Sequence, residues 1–127
     1  MSMLLLKRRR MVLGLAGAAG AAALGLPALR LAHAQAVREI DIVAKRFQFV
    51  PAVVALKVHE PVLLQIHSLD YIHGFNVPDL GIRADLLPGL VTPVRITPLQ
   101  VGRLDFLCDN FCGYGHEDMH GHFDVTA

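Results

Sequence analysis

Tryptophan is absent from these 127 residues, and the aromatic share is only 6%. Cysteine occurs twice, so the chain can close at most one internal disulfide and is not a disulfide-dense scaffold. No internal repeat and no low-complexity linker follows residue 36, which removes repeat arrays. There is no phosphate-cradling glycine loop and no paired nucleophile and base, so the chain does not read as a free-standing enzyme. A helical period of useful length is also missing.

The first third differs from the rest. Lys7, Arg8, Arg9 and Arg10 precede an uncharged stretch from Met11 to Leu29, mostly Ala, Gly and Leu, and LAHAQA follows with Ala32 and Ala34 in A-x-A register. Residues 1–36 therefore read as an export signal, cut after Ala34 or Ala36. The order Arg9-Arg10-Met-Val-Leu, the weakly hydrophobic core and the late Arg30 match a twin-arginine signal. An uncleaved anchor is the alternative, since the apolar run is about long enough to span a bilayer. Against it, the Gly/Ala content and Pro27 make a poor permanent helix. Five of the 12 basic residues leave with this segment and none of the 11 acids, so the remainder carries a formal charge of −4. That balance argues against nucleic acid as a partner.

Residues 37–127 form one domain, with a modest core that a metal or a cross-link would stabilise. Glu39-Ile-Asp-Ile-Val alternates polar and apolar as a half-buried strand does, and Phe47 and Phe49 continue the alternation. Val53–Val58 is a second apolar-rich run. Val62, Leu64 and Ile66 share one face, with Gln65 and His67 on the other. Thr92–Thr97 repeats the pattern. Leu104, Phe106 and Cys108 alternate again, which sets Cys108 at the end of a strand and facing inward. Phe123 and Val125 make a short last strand. Many short strands punctuated by Gly and Pro indicate a β-sandwich or barrel.

The loop between the last two strands holds the chemistry. CDNFCGYGHEDM, Cys108 to Met119, has the spacing C-x-x-x-C-x-x-x-H-x-x-M. Thiolate, imidazole and thioether together suit copper better than zinc, iron or magnesium. Cys112, His116 and Met119 supply three donors of a single-copper site, and the additional Cys108 exceeds that count. Two inward sulfurs that each bridge two metals need a second histidine, for which His73, 35 positions before Cys108, is the best candidate. A disulfide between the cysteines is the plain alternative, and structural zinc a weaker one because such sites rarely recruit Met.

CDNFCGYGHEDM, with DYIHGFNVPDLGIRADLLPG upstream, resembles the copper domain of cytochrome c oxidase subunit II, from about Glu39 to Val125. The resemblance implies an all-β, cupredoxin-like Greek-key β-sandwich over residues 37–127, holding a binuclear CuA centre of two copper ions. It implies Cys108 and Cys112 as bridging thiolates, His73 and Met119 completing one copper, and His116 with the backbone carbonyl of Asn110 completing the other. It also implies a periplasmic electron-transfer protein whose partners are a c-type cytochrome, a haem-copper oxidase large subunit, or both. Membrane contact is expected only through the signal, an anchor or a partner.

The chain departs from that family in three ways. Asn110 stands where many members carry a Glu that helps bind magnesium. The missing Trp leaves Tyr71, Phe75 or Tyr114 to line the electron-entry surface. The family's permanent transmembrane helices are reduced to the signal. A soluble shuttle and an oxidase subunit both fit, and a periplasmic copper storage or delivery protein is the rival. His59 and His67 read as solvated, and His120 and His122 as exposed non-ligands. Asp85 either matches the family stretch that faces the large subunit or is a solvated loop acid.

Overall fold

The computed structural model describes residues 35–127. The signal expected over 1–36 lies outside the described residues except for Gln35 and Ala36, which have no regular structure. Among the described residues no helix is long and apolar enough to cross a membrane.

Alternation builds the strands. In β1 (Arg38–Lys45) Ile42 and Ala44 point inward; in β3 (Val53–Lys57) Val54 and Leu56 do so. β4 (Val62–Ser68) buries Val62, Leu64, Ile66 and Ser68. β8 (Gly102–Leu107) buries Leu104 and Phe106, and β9 (His120–Thr126) buries Phe123 and Val125. With β2 (Gln48–Val50), β5 (His73–Val77), β6 (Ile82–Leu86) and β7 (Val91–Ile96), these make two sheets. One has the order β2-β1-β4-β7 and the other β3-β9-β8-β5-β6. Most neighbours are antiparallel, but β1 runs parallel to β4 and β3 parallel to β9, so the chain crosses repeatedly between the sheets. The all-β sandwich expected from the sequence is the architecture found.

Between the sheets sit four fully buried phenylalanines. Phe106 lies 5.3 Å from Phe49, 5.2 Å from Phe75 and 4.8 Å from Phe123, centroid to centroid. Tilted and edge-on contacts at these separations add to the gain from burying each ring. Pro93 costs the sheet no interior hydrogen bond, because β7 is an edge strand.

The structure corrects two details of the strand reading. The β1 alternation does not run unbroken through Phe47: the chain turns at Arg46-Phe47, Phe49 is fully buried, and Phe47 packs half-buried against the edge of the core. The strands β5 and β6 carry no apolar alternation strong enough to announce them, since HGFNV and IRADL mix Gly, Asn, Arg and Asp. Cross-strand pairing of Gly74 with Asp85 and Phe75 with Ala84 makes them strands, as context overrides weak β-propensity.

Phe106→Ala should lower unfolding free energy by about 3–5 kcal/mol, because it empties the middle of the aromatic cluster. Urea unfolding followed by circular dichroism measures this; a loss below about 1 kcal/mol would contradict the packing described.

Candidate metal centre

Three of the expected donors converge at one end of the sandwich. Cys108 follows β8 and continues its inward column after Phe106, while His73 opens β5 two residues before the inward Phe75. His73 is therefore the first residue of a strand and fully buried, not a turn residue. Cys112 arrives from the loop between β8 and β9. Donor atoms of His73, Cys108 and Cys112 all lie within 4.8 Å of one another. Both cysteines are buried and free, so no disulfide joins them.

The remaining expected donors surround the sulfurs. Cys112 Sγ lies 3.5 Å from His116 Nδ1 and 3.9 Å from Met119 Sδ. The Cys108 thiol donates to the Asn110 carbonyl at 3.3 Å, so Asn110 presents its main chain to the cluster. Its side chain faces away and donates to the Ile72 carbonyl at 3.1 Å. Met119 is buried and His116 half-buried. The loop is closed at its base, where the Cys108 N–H donates to the Met119 carbonyl at 3.0 Å.

One contact decides the state of His73. Its Nε2 lies 2.8 Å from Asp70 Oδ1. Burial works to raise the Asp70 carboxyl, but the Arg46 backbone N–H and His73 outweigh it and hold the group below its usual pKa. An ionised carboxylate only accepts, so Nε2 carries the proton and donates. In the neutral ring the lone pair then falls on Nδ1, which is buried and has no hydrogen-bond partner.

The Cys112 thiol is pushed up to about 11, chiefly by burial and then by Cys108 beside it, with Arg46 opposing. A metal must displace that proton to gain the thiolate. The Gly74 N–H points at Cys108 Sγ at 3.5 Å, the kind of donor that steadies a thiolate once formed.

Two glycines let the ligand loop close on its neighbours. A Cβ on Gly74 would overlap the Asp109 carboxylate and crowd the Asn110 nitrogen at 3.2 Å. Gly115, at φ 109°, lies under the Phe47 ring, and a Cβ there would come within 2.9 Å of it. Asp109 is anchored on its outer oxygen by Arg83, which also pairs with Asp85 at 2.7 Å. These pairs raise the Arg83 pKa, Asp109 most and Asp85 next.

The other flagged residues stay outside the cluster. His59 is exposed, His67 pairs with Asp41 at 3.1 Å, and His122 pairs with Asp124 at 3.3 Å. His120 is exposed and, with Arg103, Asp105, His116 and Glu117, lines an open cavity of about 480 Å³ beside the loop. Tyr114 is 94% exposed and Tyr71 42%, but Phe75 is fully buried and lines no surface. Phe75 is thereby removed from the expected entry surface, since its side chain takes the inward alternation of β5. The sequence pattern gives no site role to Asp70 or Arg46 and places Phe47 only in a strand alternation. The D-x-x-H spacing was a usable signal for Asp70, whereas Arg46 meets Cys112 across 66 residues and leaves no local trace.

The model of the cupredoxin-like domain matches residues 16–125. The chain belongs to the cupredoxin-like family. This cupredoxin is 34% identical over 82 residues to cytochrome c oxidase subunit 2 of Thermus thermophilus, covering 65% of this chain and 61% of that one. It is 36% identical over 72 residues to an alternative cytochrome c oxidase subunit 2 of Bradyrhizobium diazoefficiens, covering 57% of this chain and 26% of that one. It thus spans between about a quarter and three fifths of these curated relatives. In fold it is similar to the periplasmic domain of subunit II of cytochrome oxidase from Bradyrhizobium japonicum, with TM-score 0.65, 17% identity and coverage of 70% of this chain and 83% of that one.

Gly74→Ala should destabilise the cupredoxin by about 1–3 kcal/mol, through displacement of Asp109 and the ligand loop. Thermal unfolding of the metal-free protein measures it, and an unchanged midpoint would deny the close approach.

Proposed function

We propose that this cupredoxin binds two copper ions in a binuclear CuA centre and relays single electrons between protein partners in the periplasm. The observation that carries the reading is the convergence of a ring nitrogen of the buried His73 with the sulfurs of Cys108 and Cys112, all within 4.8 Å of one another, in a ring whose Nδ1 has no hydrogen-bond partner. An imidazole lone pair and two thiols, with a thioether 3.9 Å from one sulfur, form a soft donor set suited to copper. His73 and Met119 would hold one ion, His116 and the Asn110 carbonyl the other, and Cys108 and Cys112 would bridge both. When bound, such a pair supplies one-electron redox chemistry.

The chain's own part is to keep these donors still. Asp70 fixes the ring of His73, and the Met119 carbonyl pins the base of the loop. Donors that barely move between redox states make electron transfer fast, and outer hydrogen bonds supply that rigidity. The similarity to oxidase subunit 2 supports a haem-copper oxidase large subunit as the acceptor, with a c-type cytochrome as donor. The same similarity supports a periplasmic location, reached through the signal over residues 1–36 or held there by it as an anchor.

Electron paramagnetic resonance on the copper-loaded protein tests the reading: hyperfine structure from two equivalent coppers is expected. A single-copper pattern with ready loss of the ion to an apo acceptor would replace it with copper storage or delivery. Cys108→Ser should abolish the shared-valence spectrum. Met119→Leu should retain both ions and alter the reduction potential, because a weakly held thioether would tune more than it holds. Asp70→Ala should lower copper affinity about 10- to 100-fold in chelator competition while the metal-free fold persists.

A further inference from the structure

We propose that Arg46 is the positioning residue of this centre: it ties the histidine-bearing and cysteine-bearing segments together and raises the reduction potential. The inference rests on the copper reading above for its second half only; the tie itself concerns the metal-free chain.

Arg46 sits at the turn between β1 and β2, far in sequence from every expected ligand. It nevertheless meets both halves of the donor set. Its backbone N–H donates to Asp70 Oδ2 at 2.8 Å, and the other oxygen of that carboxylate accepts from His73 Nε2 at 2.8 Å. Its side-chain Nε–H donates to the carbonyl of Cys112 at 2.9 Å. Its guanidinium carbon stands 4.3 Å above the centre of the Tyr71 ring, and that ring meets His73 edge-on at 6.4 Å. One residue therefore reaches His73 through Asp70 and Tyr71 and reaches Cys112 directly.

These contacts divide into two kinds. The backbone bond to Asp70 survives any substitution except proline. The bond to the Cys112 carbonyl and the stack on Tyr71 belong to the guanidinium, whose flat fork and fixed Nε–H direction lysine cannot copy. The charge acts separately. A cation beside the sulfurs opposes the more positive, oxidised state of a bound metal pair and so favours reduction. Arg46 itself is exposed and contributes nothing to the phenylalanine core. Its loss should loosen the centre without unfolding the sandwich.

The test compares wild type with Arg46→Met and Arg46→Lys in two states. In the reduced, metal-free protein, modification of the thiols by an aromatic disulfide reagent should run about tenfold faster in both variants, because a charge-assisted hydrogen bond that resists loop opening is gone. Melting temperatures should stay close to wild type. In the copper-loaded protein the midpoint potential should fall in Arg46→Met and return toward wild type in Arg46→Lys, which restores the charge but not the fork. Wild-type thiol rates in either variant would overturn the tie, and an unchanged potential in Arg46→Met would overturn the tuning. Should the wild type fail to bind a copper pair, the function proposed above falls, while the thiol rates still decide the role of Arg46.

Discussion

Two buried thiols and a buried imidazole share one end of a phenylalanine-filled sandwich, and the neighbouring contacts converge on them. A buried polar atom left without a partner costs about 1–3 kcal/mol, and His73 Nδ1 is such an atom. Burial pushes the Cys112 thiol upward, and Arg46 opposes it only in part. A soft cation would offset both penalties at once. The surrounding contacts make sense in that light: Asp70 chooses the tautomer that leaves Nδ1 open, and the Gly74 N–H faces the Cys108 sulfur.

The same strand periodicity that builds the core also delivers the donors. Phe106 and Cys108 follow one another on the inward column of β8, as His73 and Phe75 do on β5. The cluster is thus the outermost layer of the hydrophobic interior, and Cys108, His116 and Met119 also line the open cavity beside the loop. Rigidity follows from that placement, because a side chain continuous with a close-packed core inherits its few allowed rotamers. The half-buried His116, beside the exposed Phe111 and Tyr114, lies toward solvent.

Much of this was readable before any coordinates. Short alternating runs announced β1, β3, β4, β8 and β9, and the run through Leu104 and Phe106 carried the inward direction of Cys108 with it. The donor loop was readable because its four chemistry-bearing residues fall within twelve positions. What escaped was of one physical kind. β5 and β6 owe their strand state to pairing with each other, not to their own side chains. Arg46 and Phe47 act on a loop far along the chain, through a hydrogen bond to Cys112 and a ring seated over Gly115. Contacts of that range leave no periodicity behind. Phe75 turns inward for the same reason: its place on β5 follows from pairing and not from a local alternation.

The final strand has a consequence for how the protein is made. β9 pairs with β8 on one side and, in parallel, with β3 on the other, and the donor loop is held between β8 and β9. Until β9 docks on β8, the bond from the Cys108 N–H to the Met119 carbonyl cannot form, so the closed donor loop is a late product of folding.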